Sequence, residues 1–275
     1  MYRRALALIF ALSLAIGMSG CNGEPTTVHG VIEGIVTDQV IGCPIKDVWV
    51  TSGSTVAWTD ASGAYWLSLK QGPQTIRFQR AGYAREVLCV TVPGRATLQT
   101  DLEMNPILPV GPVQISLTWH ASPRDLDAHL RTLGGYHISH SCGGSLTSPP
   151  WAKLDFDYFD GQGKETIMIA DFAPDTYRYS VHNCSRTPAI AGSGAQVDVY
   201  SQSQLLYTFT APQTGPASCL VWDVLEIDGA TRELARLDTL RDCPNWTFEQ
   251  DGAADKPDPR DGAGFRPVDE SPTGQ

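Results

Sequence analysis

Six acidic side chains fall into a pattern able to bind a cation. In Asp125-Leu126-Asp127-Ala128-His129-Leu130, strand alternation sends Leu126, Ala128 and Leu130 to one face, and Asp125, Asp127 and His129 to the other. The same rule over residues 154–159 turns Leu154, Phe156 and Tyr158 inward and Asp155 and Asp157 outward. The glycine-bent stretch Asp160-Gly161-Gln162-Gly163-Lys164-Glu165 can bring two further carboxylates, Asp160 and Glu165, round to them. Oxygen ligands from a loop and neighbouring strands suit Ca²⁺, which takes roughly 6–8 oxygens at about 2.3–2.6 Å. The spacing is not that of an EF-hand. The competing reading makes these acids the solvated faces of half-buried strands.

Other chemistry finds less support. The chain has no G-x-S-x-G, no H-E-x-x-H and no S-x-x-K with β-lactamase signatures. His137 and His140, placed on a strand, face opposite ways, which argues against zinc. Asp155 and Asp157 are the residue type that glycoside hydrolysis uses, yet a compact sandwich offers little cleft, so the expectation is a protein that is not an enzyme. Trp49, Trp58, Trp66, Trp119 and Trp222 lie in or beside alternating strands and read as core. Trp151, after Ser148-Pro149-Pro150, is the exposed candidate for ligand binding.

The N-terminus combines Arg3 and Arg4, an apolar run over residues 5–18 and Ser19-Gly20-Cys21. This is the layout of a secretory leader, with an apolar run shorter than the roughly 20 residues that span a bilayer. Met18-Ser19-Gly20-Cys21 also resembles a bacterial lipobox. The resemblance implies removal of residues 1–20, lipidation of Cys21 and, with Asn22 rather than Asp in the next position, an outer-membrane address. Ordinary cleavage, with Cys21 as a thiol, is the alternative. Lipidation accounts for the odd one of seven cysteines and leaves Cys43, Cys89, Cys142, Cys184, Cys219 and Cys243, an even set for an oxidising compartment. Their distribution favours Cys43–Cys89. Of three connectivities among the other four, Cys142–Cys184 and Cys219–Cys243 keep the loops shortest.

Lys and Arg number 20 against 30 Asp and Glu, net −10; losing the leader's two arginines takes this to −12. So acidic a surface argues against nucleic acid and is compatible with divalent cations. The expected partners are the membrane, through the N-terminal lipid, and envelope proteins or glycans.

Short alternating segments with Gly, Pro, Asp and Ser turns, and almost no helical periodicity, predict an all-β chain of two consecutive antiparallel β-sandwiches. The first spans 29–104 and the second 113–245. A tether occupies 21–28, a stiff Pro-rich linker 105–112 and a disordered acidic tail 246–275. Gly34-Ile35-Val36-Thr37-Asp38, Thr59-Asp60-Ala61-Ser62-Gly63-Ala64-Tyr65 and Ala81-Gly82-Tyr83 resemble the carboxypeptidase regulatory-like domain, a transthyretin-like sandwich. That resemblance implies a stabilising or spacing module without catalytic residues, sometimes grouped with carbohydrate-binding-like folds. Asp125–Leu130, residues 155–165 and Thr176-Tyr177-Arg178-Tyr179-Ser180-Val181 resemble the DUF2135/YfaP-like domain. It implies a second sandwich and no particular activity.

Overall fold

The computed structural model of the chain describes residues 27–159 and 161–242. The leader, Cys21, Asp160, Cys243 and the acidic tail lie outside these residues, as does the side chain of Cys219. The described chain is all-β.

In the first sandwich, β1 (His29–Asp38) is the central strand of one sheet, flanked by β4 (Ala64–Lys70) and by two short strands, β7 (Thr97–Gln99) and β8 (Leu102–Met104). The opposing sheet runs β3-β2-β5-β6, from β2 (Trp49–Ser52), β3 (Thr55–Trp58), β5 (Gly72–Gln79) and β6 (Glu86–Val92). Alternation decides the core: Ile32, Val36, Val50, Tyr65, Leu67, Ile76 and Phe78 point inward and are buried. The turn into β4 is built as its residue types require. Asp60 Oδ1 accepts the Ser62 and Ala64 N–H groups at 2.8 and 3.0 Å, and Gly63 takes a φ of 74°.

Two features depart from an antiparallel sandwich of continuous strands. β7 and β8 both pair with β1 in parallel, and they are separated by a break at Thr100 and Asp101. There the Thr100 carbonyl presses against β1 at Gly34, where a Cβ would sit 1.8 Å from its oxygen, so only glycine fits. The approach is held by Thr100 N–H to the Glu33 carbonyl at 2.7 Å and by Ile35 N–H to Asp101 Oδ1 at 2.9 Å.

The second sandwich contains β9 (Val113–Thr118), β10 (Leu126–Thr132), β11 (His137–Ile138), β12 (Ala152–Leu154), β13 (Lys164–Ile169), β14 (Thr176–Asn183), β15 (Gln196–Ser201), β16 (Gln204–Thr210), β17 (Cys219–Asp228) and β18 (Leu234–Asp242). Its two antiparallel sheets run β11-β10-β14-β17-β18 and β12-β13-β9-β15-β16. Ile115, Leu117, Tyr177, Tyr179, Val197 and Trp222 fill the space between them. The strand expected over 154–159 ends at Leu154. Asp155 turns its carboxylate back onto the Phe156 and Thr166 N–H groups, at 2.8 and 2.9 Å, and ends the alternation. Phe156 and Tyr158 consequently lie exposed rather than inward.

The segment joining the sandwiches is fastened along its length. Leu108 N–H donates to the Arg232 carbonyl, and Leu234 N–H to the Pro106 carbonyl, at 2.8 and 2.9 Å. The Arg232 guanidinium reaches the carbonyls of Leu108, Pro109 and Gly111 and lies over the Phe172 ring. From the first sandwich, Val40 inserts into the core of the second. The Gln39 amide exchanges two hydrogen bonds with the backbone of Arg236, whose own side chain donates to the Val40 carbonyl.

Candidate functional site

The outer face of β10 and β14 gathers most of the chain's chemistry. On β10, Asp127 and His129 are two residues apart and share a face; His182 lies near the end of β14, and Cys184 is the first turn residue after it. The strand register sets Asp127 directly opposite His182. His182 Nδ1 stands 3.6 Å from Asp127 Oδ2 and 3.4 Å from Cys184 Sγ, and the Cys184 thiol donates to Asp127 Oδ2. The loop after β11 adds His140, whose Nδ1 is 3.7 Å from the same oxygen. His129 packs against three imidazoles: His137 stacked at 5.1 Å, and His140 and His182 edge-on at 6.1 and 5.8 Å. His129 Nδ1 and His137 Nε2 share a hydrogen bond of 2.8 Å.

Asp127 and His129 form the buried floor, 3% and 1% exposed, while His140 and Cys184 stand open to solvent. Burial, and then the neighbouring imidazoles and the Arg131 guanidinium, hold His129 well below the usual histidine range and push His137 down to about 3, so both rings are neutral. Burial pulls the Asp127 carboxyl upward. The hydrogen bonds from His182 and Cys184, and the charge of His140 and His182, outweigh it and bring the net shift below the ordinary aspartate value. Burial followed by the Asp127 hydrogen bond pushes the Cys184 thiol up.

The six acids of the sequence pattern part company here. Asp127, Asp157 and Glu165 converge, each offering an oxygen within 4.8 Å of the others. Asp155 is turned onto its own loop, and Asp160 lies outside the described residues. Asp125 is half-buried beside the group, its pKa raised by burial and by the charges of Asp127 and Asp157. Glu165 is fully buried, spanning from the Ala128 N–H, at 2.7 Å, to the Tyr158 N–H, at 3.1 Å. Burial pushes its carboxyl up to about 8 despite these two bonds. Strand alternation does not extend from His137 to His140. β11 ends at Ile138, so His140 lies on a turn and is free to approach the face that His137 occupies. The readable signal was D-x-H, which places two ligand types on one strand face, with H-x-C at the end of the paired strand.

The expected pairs Cys43–Cys89 and Cys142–Cys184 are not formed: Cys43, Cys89 and Cys184 are thiols. Cys89 lies on the outward face of β6 with Val87, whereas Cys43 sits in the turn that follows β1 of the opposite sheet. Cys184 is engaged by Asp127. The pair Cys219–Cys243 falls outside what is described.

The tryptophans also reverse expectation. Trp119 and Trp222 are buried, but Trp49, Trp58 and Trp66 are 40%, 60% and 67% exposed, because the inward positions of their strands are taken by Val50, Tyr65 and Leu67. Trp49 and Trp58 are directly opposed across β2 and β3, with ring centroids 6.3 Å apart and planes within 25°. Cross-strand register continues that row to Gln79, and the next row runs Val56, Thr51, Arg77 and Val87. Trp151 is only half-buried, in a loop at φ 54°, and is less exposed than these three. A groove of about 820 Å³ lies elsewhere in the second sandwich, lined by Trp119, His120, Tyr158, Gln162, Lys164 and Gln196 among others.

No protein-family model matches the chain, and no curated protein sequence matches it. Solved structures do resemble it. A cohesin–X-dockerin complex from Acetivibrio cellulolyticus is 18% identical over 28% of this chain, with a TM-score of 0.26; the chain spans 58% of the length of that one. A protein described as a candidate carbohydrate-binding protein, from Bacteroides uniformis, is 11% identical over 66% of this chain and 96% of its own, with a TM-score of 0.24. The major pilin subunit of Bacillus cereus is 9% identical over 78% of this chain and 94% of its own, with a TM-score of 0.25. Likenesses of this size carry no statement about ligands.

Proposed function

We propose that the chain is a non-enzymatic, lipid-anchored binding module of the bacterial cell envelope that holds glycan on the open face of its first sandwich. One observation carries the reading: Trp49 and Trp58 are paired in near-parallel orientation on a solvent-facing sheet. Exposed aromatic area of this kind marks binding surfaces, since an indole left in water forgoes a large apolar burial. The face of a pyranose ring is a patch of C–H groups that stacks on indole, while its hydroxyls need donors and acceptors at the rim. Gln79 beside Trp49, with Thr51 and Arg77 in the next row, supplies both on the same face. The lipobox-like Cys21 supports the anchor, and the fastened connector supports a spacer that presents this face in a fixed orientation.

The test is retention of the full-length protein on immobilised envelope polysaccharides and on a glycan array. Binding is expected for the native chain and lost in Trp49→Ala and Trp58→Ala. Trp151→Ala, in the second sandwich, keeps it. Absence of glycan binding, or binding indifferent to both substitutions, refutes the assignment. Polysaccharide turnover abolished by Asp155→Asn would establish an enzyme instead.

A further inference from the structure

We infer that Asp127, His182 and Cys184, with His140 beside them, form a binding site for a borderline first-row transition ion of the zinc class. The site is in the second sandwich and owes nothing to the tryptophan face of the first, so either reading can fail alone.

Geometry supports it. Ligand atoms held at about 2.0–2.3 Å from one tetrahedral ion stand roughly 3.3–3.8 Å from each other. His182 Nδ1 to Cys184 Sγ is 3.4 Å, His182 Nδ1 to Asp127 Oδ2 is 3.6 Å, and His140 Nδ1 to Asp127 Oδ2 is 3.7 Å. Two edges of such a coordination polyhedron are therefore already present, and His140 meets the same Asp127 oxygen at one corner. The remaining short contact, Cys184 Sγ to Asp127 Oδ2, is a thiol hydrogen bond. There the ion takes the place of the thiol proton: the S–H bond breaks, a metal–thiolate bond forms, and the proton leaves to solvent. No electron changes hands.

Donor type decides the ion. Calcium and magnesium take oxygen, whereas imidazole and thiolate select zinc, cobalt, nickel or copper. Asp127, His182 and Cys184 provide a carboxylate, an imidazole and a thiolate within 4.8 Å of one another, and His140 approaches the same Asp127 oxygen. Asp127 and His182 come from paired strands, which fixes their separation without a ligand, and the open side at His140 and Cys184 gives an ion a way in.

The probe is cobalt(II), added to the full-length chain in detergent after chelator and reductant have been removed. One equivalent is expected to give visible ligand-field bands and a near-ultraviolet thiolate-to-cobalt band, both bleached by zinc and untouched by calcium. Cys184→Ser, a near-isosteric change at an open position, is expected to abolish the near-ultraviolet band while strand content by circular dichroism stays the same. His182→Ala is expected to weaken zinc binding by roughly tenfold or more. Three results overturn the inference: no cobalt spectrum from a folded chain, a thiolate band that survives Cys184→Ser, or a Cys142–Cys184 disulfide in protein isolated from the envelope.

Discussion

Replacing Val40 with alanine tests whether the two sandwiches form one cooperative body. Val40 belongs to the first sandwich by chain position yet is 1% exposed and packed in the core of the second. Alanine removes two methyl-equivalents, about 0.8 kcal/mol each, so the transfer loss is about 1.6 kcal/mol. The residual cavity adds to this and brings the cost to about 2–3 kcal/mol. The turn carrying Val40 is held by Asp38, which accepts the Val40 and Ile41 N–H groups at 2.8 and 3.1 Å, so it has little freedom to collapse into the gap. With a urea dependence of roughly 2–3 kcal/mol per molar, the midpoint should fall by about 1 M. Two probes read different halves. Tryptophan emission reports chiefly the burial of Trp119 and Trp222 in the second sandwich, while far-ultraviolet circular dichroism reports strands in both. The native chain should give coincident curves, and Val40→Ala should give coincident curves shifted together. Val40→Asp, which puts an unpaired carboxylate into the seam, should split them. An unfolding free energy for Val40→Ala within about 0.5 kcal/mol of the native value, as for an ordinary surface position, would refute the idea of a shared core.

Other outcomes follow from single residues. Glu165 titrates near 8 in the folded chain against an ordinary value near 4.5, so the unfolded chain ionises first and the folded state loses stability as pH rises between these two values. With chelator present, native stability should drop on the order of 3 kcal/mol between pH 4.5 and 7, and Glu165→Gln should remove that slope in urea titrations. Gly163→Ala places a Cβ 2.3 Å from Trp119 Cζ2 and 2.6 Å from Tyr158 Cδ1, both parts of rigid rings. It should cost about 1–3 kcal/mol in calorimetry, and an unchanged melting temperature would contradict that packing. Cys21→Ser should abolish labelling by radioactive palmitate and release the protein from membranes; persistent labelling would rule out Cys21 as the lipid carrier.

Much of the architecture is local and was legible as such. Alternation in β1 and β4, and the Asp60–Gly63 turn, depend on neighbours within a few residues and read directly from sequence. What failed to read depends on distant partners. β7 and β8 look like one strand until β1 is laid beside them, because the break at Thr100 lies where its carbonyl presses against Gly34. Trp49 and Trp58 have the apolarity of core residues, and only the strand register shows that Val50 holds the inward position. The oxygen pattern over 125–165 assumed a strand through 159, which Asp155 ends. The imidazole cluster is assembled from β10, β14 and the turn after β11, whose proximity is a matter of topology, although D-x-H announced a same-face pair.

The parallel pairing of β7 and β8 with β1 has a consequence for the order in which this chain can mature. A chain emerging from its N-terminus delivers β1 early and then waits for residues 97–104 to cover that strand's second edge. Val40 waits longer still, for partners such as Leu234 and Arg236. Through that interval one edge of β1, the paired indoles and a valine meant for another core stand open together, and unpaired edges are what other chains add to.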